Sequence, residues 1–110
     1  MKKSAGRELI VFVTAGSKRE AKTIGTTVVT ERLAACATVV GVVESIYWWK
    51  GKIQRSTETM LMIKTTGKSY QLLEQRILAL HSYDVPEVIA VSIVHGSQTY
   101  LSWIKHETSK

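Results

Sequence analysis

Residues 36–65 read CATVVGVVESIYWWKGKIQRSTETMLMIKT. Cys36 to Trp49 is dense in β-branched and aromatic residues, the composition of a strand. Gly41 interrupts it and marks a bulge or bend. Lys50-Gly51 is a two-residue turn, and Ile53 to Thr65 is the returning strand, so the stretch reads as a hairpin. Side chains alternate along a strand. Glu58, Met60, Met62 and Lys64 therefore share one face, and Thr59, Leu61 and Ile63 the other.

Arms of roughly 13 residues reach roughly 40 Å if unbroken, about twice the span of common strands. Helices of about four turns cannot cover that length, so the far half of the hairpin should leave its own core. It carries Tyr47 and Trp49 on one face and Ile46 and Trp48 on the other, with Ile53 on the return. An apolar patch on both faces of a hairpin tip marks an interface, and Tyr47, Trp48 and Trp49 are its candidate residues. A symmetric oligomer with hairpins paired edge to edge satisfies the patch and the unpaired strand edges together. The alternative is that the tryptophans tuck under a loop of their own subunit.

The flanks complete the pattern. Leu9 to Thr14 is a continuous apolar run, read as a strand covered on both faces. Ser17-Lys18-Arg19-Glu20 matches a capping box, in which Ser17 accepts from the amide three residues on and Glu20 reaches back. The helix it opens places Ala21, Ile24, Gly25 and Val28 on one stripe and ends near Arg32-Leu33. A second helix from about Lys68 to Leu80 carries Tyr70, Leu73, Ile77 and Leu80. Ser82 to Pro86 is a turn, Val88 to Val94 a strand, and Ser97 caps a last short helix bearing Tyr100, Leu101, Trp103 and Ile104. The order β-α-β-β-α-β-α contains the ferredoxin-like split βαβ pattern: an α+β, βαββαβ sandwich with an extended β-hairpin and a short C-terminal helix.

The 110 residues suit one domain spanning 1–110, with 1–7 as a flexible N-terminal segment. Lys2, Lys3 and Arg7 before an apolar run imitate a signal peptide, but a buried strand explains the run better. No apolar run is long enough to cross a bilayer. Cys36 is the only cysteine, which excludes an intrachain disulfide and a multi-cysteine zinc site and suits a reducing, cytoplasmic setting. The net charge of +6 is spread along the chain and reads first as a solvated surface, then as a route to an anionic partner.

Five segments in order resemble the CutA family of divalent-cation tolerance proteins. They are Glu31-Arg32-Leu33-Ala34-Ala35-Cys36, Ser45-Ile46-Tyr47-Trp48-Trp49-Lys50-Gly51-Lys52, Glu58 to Thr65, His81-Ser82-Tyr83-Asp84-Val85-Pro86-Glu87, and Tyr100-Leu101-Ser102-Trp103. The resemblance covers about Leu9 to Ile104. It implies a tight homotrimer similar to PII signalling proteins, with strand extensions wrapping between subunits, no assigned enzymatic activity, and tolerance of divalent metals, copper above all. The chain departs from the family at Ala15-Gly16-Ser17, where Ala-Pro-Asp is common, and at Ser82, where proline is usual. Trp48 stands where arginine or tyrosine is frequent, and the further cysteines that some members place around a copper site are missing.

Candidate chemistry rests on few residues. Cys36 is a soft ligand suited to Cu(I), or a small buried hydrophobe. His81, near a helix C-terminus, is a metal ligand through a neutral ring nitrogen, or a cap on the last carbonyls. Lys64 either pairs with a carboxylate such as Glu58 or Glu87, or binds an anion in a PII-like cleft. Met60 and Met62 read as core packing rather than thioether ligands. Tyr83 and Trp103, with Tyr100, are packing or interface residues that the resemblance sets near the intersubunit cleft. No catalytic constellation stands out: a Cys36 nucleophile would need a base such as His81, and no third orienting residue is evident. The leading expectation is a non-enzymatic homotrimer that binds metal ions, with no required cofactor and copper or another divalent ion as the candidate. The alternative is a signalling scaffold binding a small anion between subunits. Nucleic acid is not expected as a partner, because the aromatic RNA-recognition signature is absent.

Overall fold

The computed structural model describes residues 7–108, so the expectation for the N-terminal segment falls outside the described residues except at Arg7. The carbonyl of Arg7 accepts from the Gly67 amide at 2.8 Å, which ties it to the start of the second helix. The elements follow the expected order: β1 (Glu8–Ala15), α1 (Lys18–Thr30), β2 (Cys36–Trp49), β3 (Lys52–Thr66), α2 (Gly67–Leu80), β4 (Val88–Ser92) and α3 (Gln98–Glu107). The four strands form one sheet in the order β2-β3-β1-β4, and every neighbouring pair is antiparallel.

Leu9, Val11, Val13 and Ala15 of β1 bury on one face, against Ala21, Ile24 and Val28 of α1 and Leu73 and Ile77 of α2. Leu61 and Ile63 of β3 join them, so both helices lie on that face. Strand β1 was expected to be covered on both faces, yet within the chain it is covered on one. Ile10 and Phe12 point the other way and remain half-buried, because no element among the described residues crosses that side. Register sets the rows of this open face: Val91, Ile10, Lys64 and Cys36 lie in one, and Ile89, Phe12, Met62 and Thr38 in the next. Met60 and Met62 belong to it and are half-buried there, outside the core in which they were expected to pack.

Helix α1 ends as an αL-terminated motif. Arg32 has φ 64°, and the amides of Arg32 and Leu33 reach back to the carbonyls of Val29 and Val28. Strand β4 stops at Ser92, short of the expected Val94, because Ile93 donates to Glu8, the first residue of β1, and β1 offers no further partner.

The hairpin behaves as its length requires. Pairing with β1 covers β3 only from Thr59 to Thr66, so beyond Thr59 the hairpin is a two-stranded ribbon. On that ribbon Val42 is 73% exposed and Trp48 71%. The ladder shifts register between Val39 and Gly41, the bulge expected at this glycine. At the tip Lys50 and Gly51 have φ 52° and 79°, the left-handed pair of a type I′ turn. A side chain at Gly51 would meet no neighbour, so only backbone strain opposes one. Gly51→Ala should therefore cost about 1–2 kcal/mol in urea unfolding. Leu61→Ala, which opens a cavity at a fully buried position, should cost about 3 kcal/mol.

Candidate functional site

Where the ribbon leaves the sheet, it faces the loop between α2 and β4. Between them lies a cleft of about 600 Å³. Ser45, Ile46, Tyr47 and Trp49 come from β2, Ser56 and Glu58 from β3, Thr14 from the end of β1, and Tyr83, Asp84, Val85 and Glu87 from the loop. Alternation explains the strand contributions other than Ile46. Ser45 pairs with Ser56 and Tyr47 with Gln54, on the same side as Glu58, while Ile46, Trp48, Ile53 and Arg55 take the opposite side.

The cleft is acidic. Glu58, Asp84 and Glu87 supply carboxylates, and among the described residues no lysine or arginine lines it. Glu58 is only 7% exposed. Its carboxylate accepts from the Tyr83 hydroxyl. Burial, the bond to Glu58 and the negative charges of Glu58 and Glu20 push the Tyr83 phenol up to about 12, so it remains a neutral donor. Across the cleft the Tyr47 hydroxyl and Ser56 Oγ are hydrogen-bonded at 2.6 Å.

The loop is held from behind. His81 closes α2, and its side chain is fully buried. Its Nε2 lies 2.8 Å from the Thr14 carbonyl, and its Nδ1 accepts from the Tyr83 amide at 3.1 Å. Glu20 accepts from the Gly16 amide at 2.9 Å and, through its other oxygen, from the Ser82 amide at 2.7 Å. Ser17 accepts from the Glu20 amide at 3.1 Å, so half of the expected capping box forms. Glu20 was expected to reach back to the cap itself. It reaches one residue further, because a carboxylate placed there can also bind the loop. Burial pushes the Glu20 carboxyl up, but hydrogen bonds from the Gly16 and Ser82 amides hold it below its ordinary value.

Within one chain, Tyr83, Glu58 and Glu87 line a single cleft together with Tyr47 and Trp49. Trp48 does not join them, lying on the outer face of the ribbon. Lys64 stands beside Cys36 on the open face, and no ion pair links it to Glu58 or Glu87 among the described residues. Trp103 lies on α3 in ring contact with Tyr100 at 5.5 Å and is not in the cleft wall. Cys36 and His81 are not brought together. Cys36 pairs with Lys64, whereas Thr14, which His81 contacts, pairs with Met60, four residues or about 13 Å along β3. Among the described residues no three of His, Cys, Asp and Glu gather closely enough to hold a metal ion. Sequence reasoning missed Thr14, Gly16, Glu20, Ser45, Ser56 and Asp84. Only the alternation of Ser45 with Tyr47, and the place of Asp84 inside the 81–87 segment, signalled any of them.

Glu20→Gln should lower the melting temperature at neutral pH. A carboxyl held low in the folded state stabilises above its ordinary range, and that stabilisation is lost as the pH falls through the folded value. The gap between wild type and variant should therefore close on acidification, as read by thermal melts across a pH series.

Residues 9–107 match the family described as CutA1 divalent ion tolerance protein. The divalent-cation tolerance protein CutA of Thermus thermophilus is 41% identical over 101 residues, covering 92% of this chain and 98% of that one. The chloroplastic protein CutA 1 of Oryza sativa is 42% identical over 100 residues, 91% of this chain. The chain spans only 56% of the length of that relative. The solved Thermus thermophilus structure superposes with a TM-score of 0.90 at 40% identity, over 92% of this chain and 98% of that one. CutA1 of a Shewanella species superposes with a TM-score of 0.91 at 37% identity, over 96% and 98%.

Proposed function

The chain belongs to the CutA1 divalent ion tolerance family, and on that footing we propose that it is a non-enzymatic homotrimer that binds divalent metal ions, copper among them, at or near the junction of its subunits. The observation that carries this reading is the acidic cleft: three carboxylates, one of them buried, on the side of the hairpin that continues the open face. Carboxylate and hydroxyl oxygens suit hard divalent cations. One chain assembles no complete ligand set among its described residues, so the shell is completed by a neighbouring subunit or by water.

The uncovered rows of Ile10, Phe12, Met62, Ile89 and Val91, together with the projecting ribbon, support assembly of several copies. Three copies is the number the family resemblance implies. Cys36, half-buried on the same face, offers a separate soft position for Cu(I). A single free thiol fits the cytoplasm, where thiols stay reduced.

Calorimetric titration of the oligomer with Cu²⁺ and Zn²⁺ should give saturable binding at a fixed ratio per subunit. Asp84→Asn with Glu87→Gln should weaken it by tenfold or more. An anaerobic Cu(I) titration should respond instead to Cys36→Ser. Binding untouched by either change would reject these positions. Sedimentation should show a trimer, and Trp48→Lys should shift it towards smaller species while leaving the fold of the chain intact.

A further inference from the structure

We propose that His81 is a positioning residue of the cleft and not a metal ligand: its two ring nitrogens clamp the 82–87 loop to the end of β1. The hydrogen-bond partners settle the roles. A carbonyl oxygen only accepts, so Nε2 donates to Thr14 at 2.8 Å. A backbone amide only donates, so Nδ1 accepts from Tyr83 at 3.1 Å. The ring is therefore the neutral Nε2–H tautomer with both nitrogens engaged, and its side chain is fully buried. No lone pair is left for an ion.

Three neighbours share the task. The Tyr83 ring packs on the imidazole with centroids 4.6 Å apart. Glu20 Oε2 lies 3.8 Å from Nδ1 and holds the Ser82 amide, which fastens the same loop to the start of α1. Gly16 leaves the room for this. A Cβ there would stand 3.3 Å from both a Tyr83 ring carbon and Glu20 Oε1. From the clamp the chain of contacts runs on to the cleft, since Tyr83 carries the hydroxyl that binds Glu58 and precedes Asp84. His81 thus fixes the separation of the loop carboxylates from the strand carboxylate. Its effect on metal affinity rests on the metal-binding reading of the cleft, whereas the clamp itself does not.

The test reads the ring directly. Long-range ¹H–¹⁵N spectra of the full-length oligomer should show His81 as the Nε2–H tautomer, unchanged when Zn²⁺ is added. The Tyr83 amide should be protected from hydrogen exchange. An Nδ1–H tautomer, or ring nitrogens that shift in proportion to Zn²⁺, would overturn the proposal. Variants give a second arm. His81→Ala should weaken Zn²⁺ binding roughly tenfold, through lost hydrogen bonds that each contribute modestly. His81→Asn keeps a side-chain acceptor for the amide two residues on, the geometry of an Asx-turn, and should restore most of the loss. A carboxamide is a poor substitute for imidazole on zinc, so an Asn variant as weak as the Ala variant would point to ligation instead. If neither variant folds, the wild-type ring spectrum decides. If Zn²⁺ binds nowhere in the wild type, the metal reading falls, and the tautomer with the Tyr83 amide still decides the clamp.

Discussion

A strand advances about 3.3 Å per residue and an α-helix about 1.5 Å. Here β2 and β3 have 14 and 15 residues, while α1 and α2 have 13 and 14. Helices of near-equal residue count therefore cover less than half the length of the hairpin they pack on. The mismatch ends the hydrophobic core at Thr59, where β1 ceases to pair with β3, and sends the rest of the ribbon beyond the chain's own helices. The exposed tryptophans and the cleft at the base of the ribbon both descend from this difference in rise.

The end of β1 is the second point on which the molecule turns. Thr14 stands there with its side chain in the cleft wall and its carbonyl bound by His81. Gly16 and Ser17 follow at once and hand the chain to α1, whose Glu20 reaches across to the loop after α2. Three segments distant in sequence are thereby locked by four hydrogen bonds, from Nε2 and to Nδ1 of His81 and to the two oxygens of Glu20. The side chains that face the cleft are carried by this lock and take no part in it. A buried carboxylate such as Glu58 is tolerated because the Tyr83 hydroxyl, itself placed by the lock, donates to it.

The family segment His81 to Glu87 accordingly divides into two tasks. Its first residues, His81 and Ser82, bind backbone and side-chain partners behind the cleft. Its later ones, Tyr83 to Val85 and Glu87, form the wall. Cys36 and His81 were both read as metal candidates, yet Cys36 stands on β2 while His81 closes α2 and binds the end of β1.

Local chemistry was enough for the hairpin arms, the bulge at Gly41, the turn at Lys50-Gly51, and the caps at Ser17 and Ser97, because each depends on residues within four positions of one another. Periodicity sufficed for the helix stripes on the same ground. Three matters lay beyond it. Alternation shows that Glu58, Met60, Met62 and Lys64 share a face, but only strand order and helix placement show that this face is the uncovered one. The reach of Glu20 to Ser82 and of His81 to Thr14 spans 62 and 67 residues, and no pattern in the chain announces such bonds. Membership of the cleft within the chain follows neither residue type nor spacing, so Thr14, Ser45, Ser56 and Asp84 were not foreseen in it. Short-range sterics and hydrogen bonding write secondary structure into the sequence. The meeting of polar groups from four segments is set by how whole elements pack, and is visible only once they have done so.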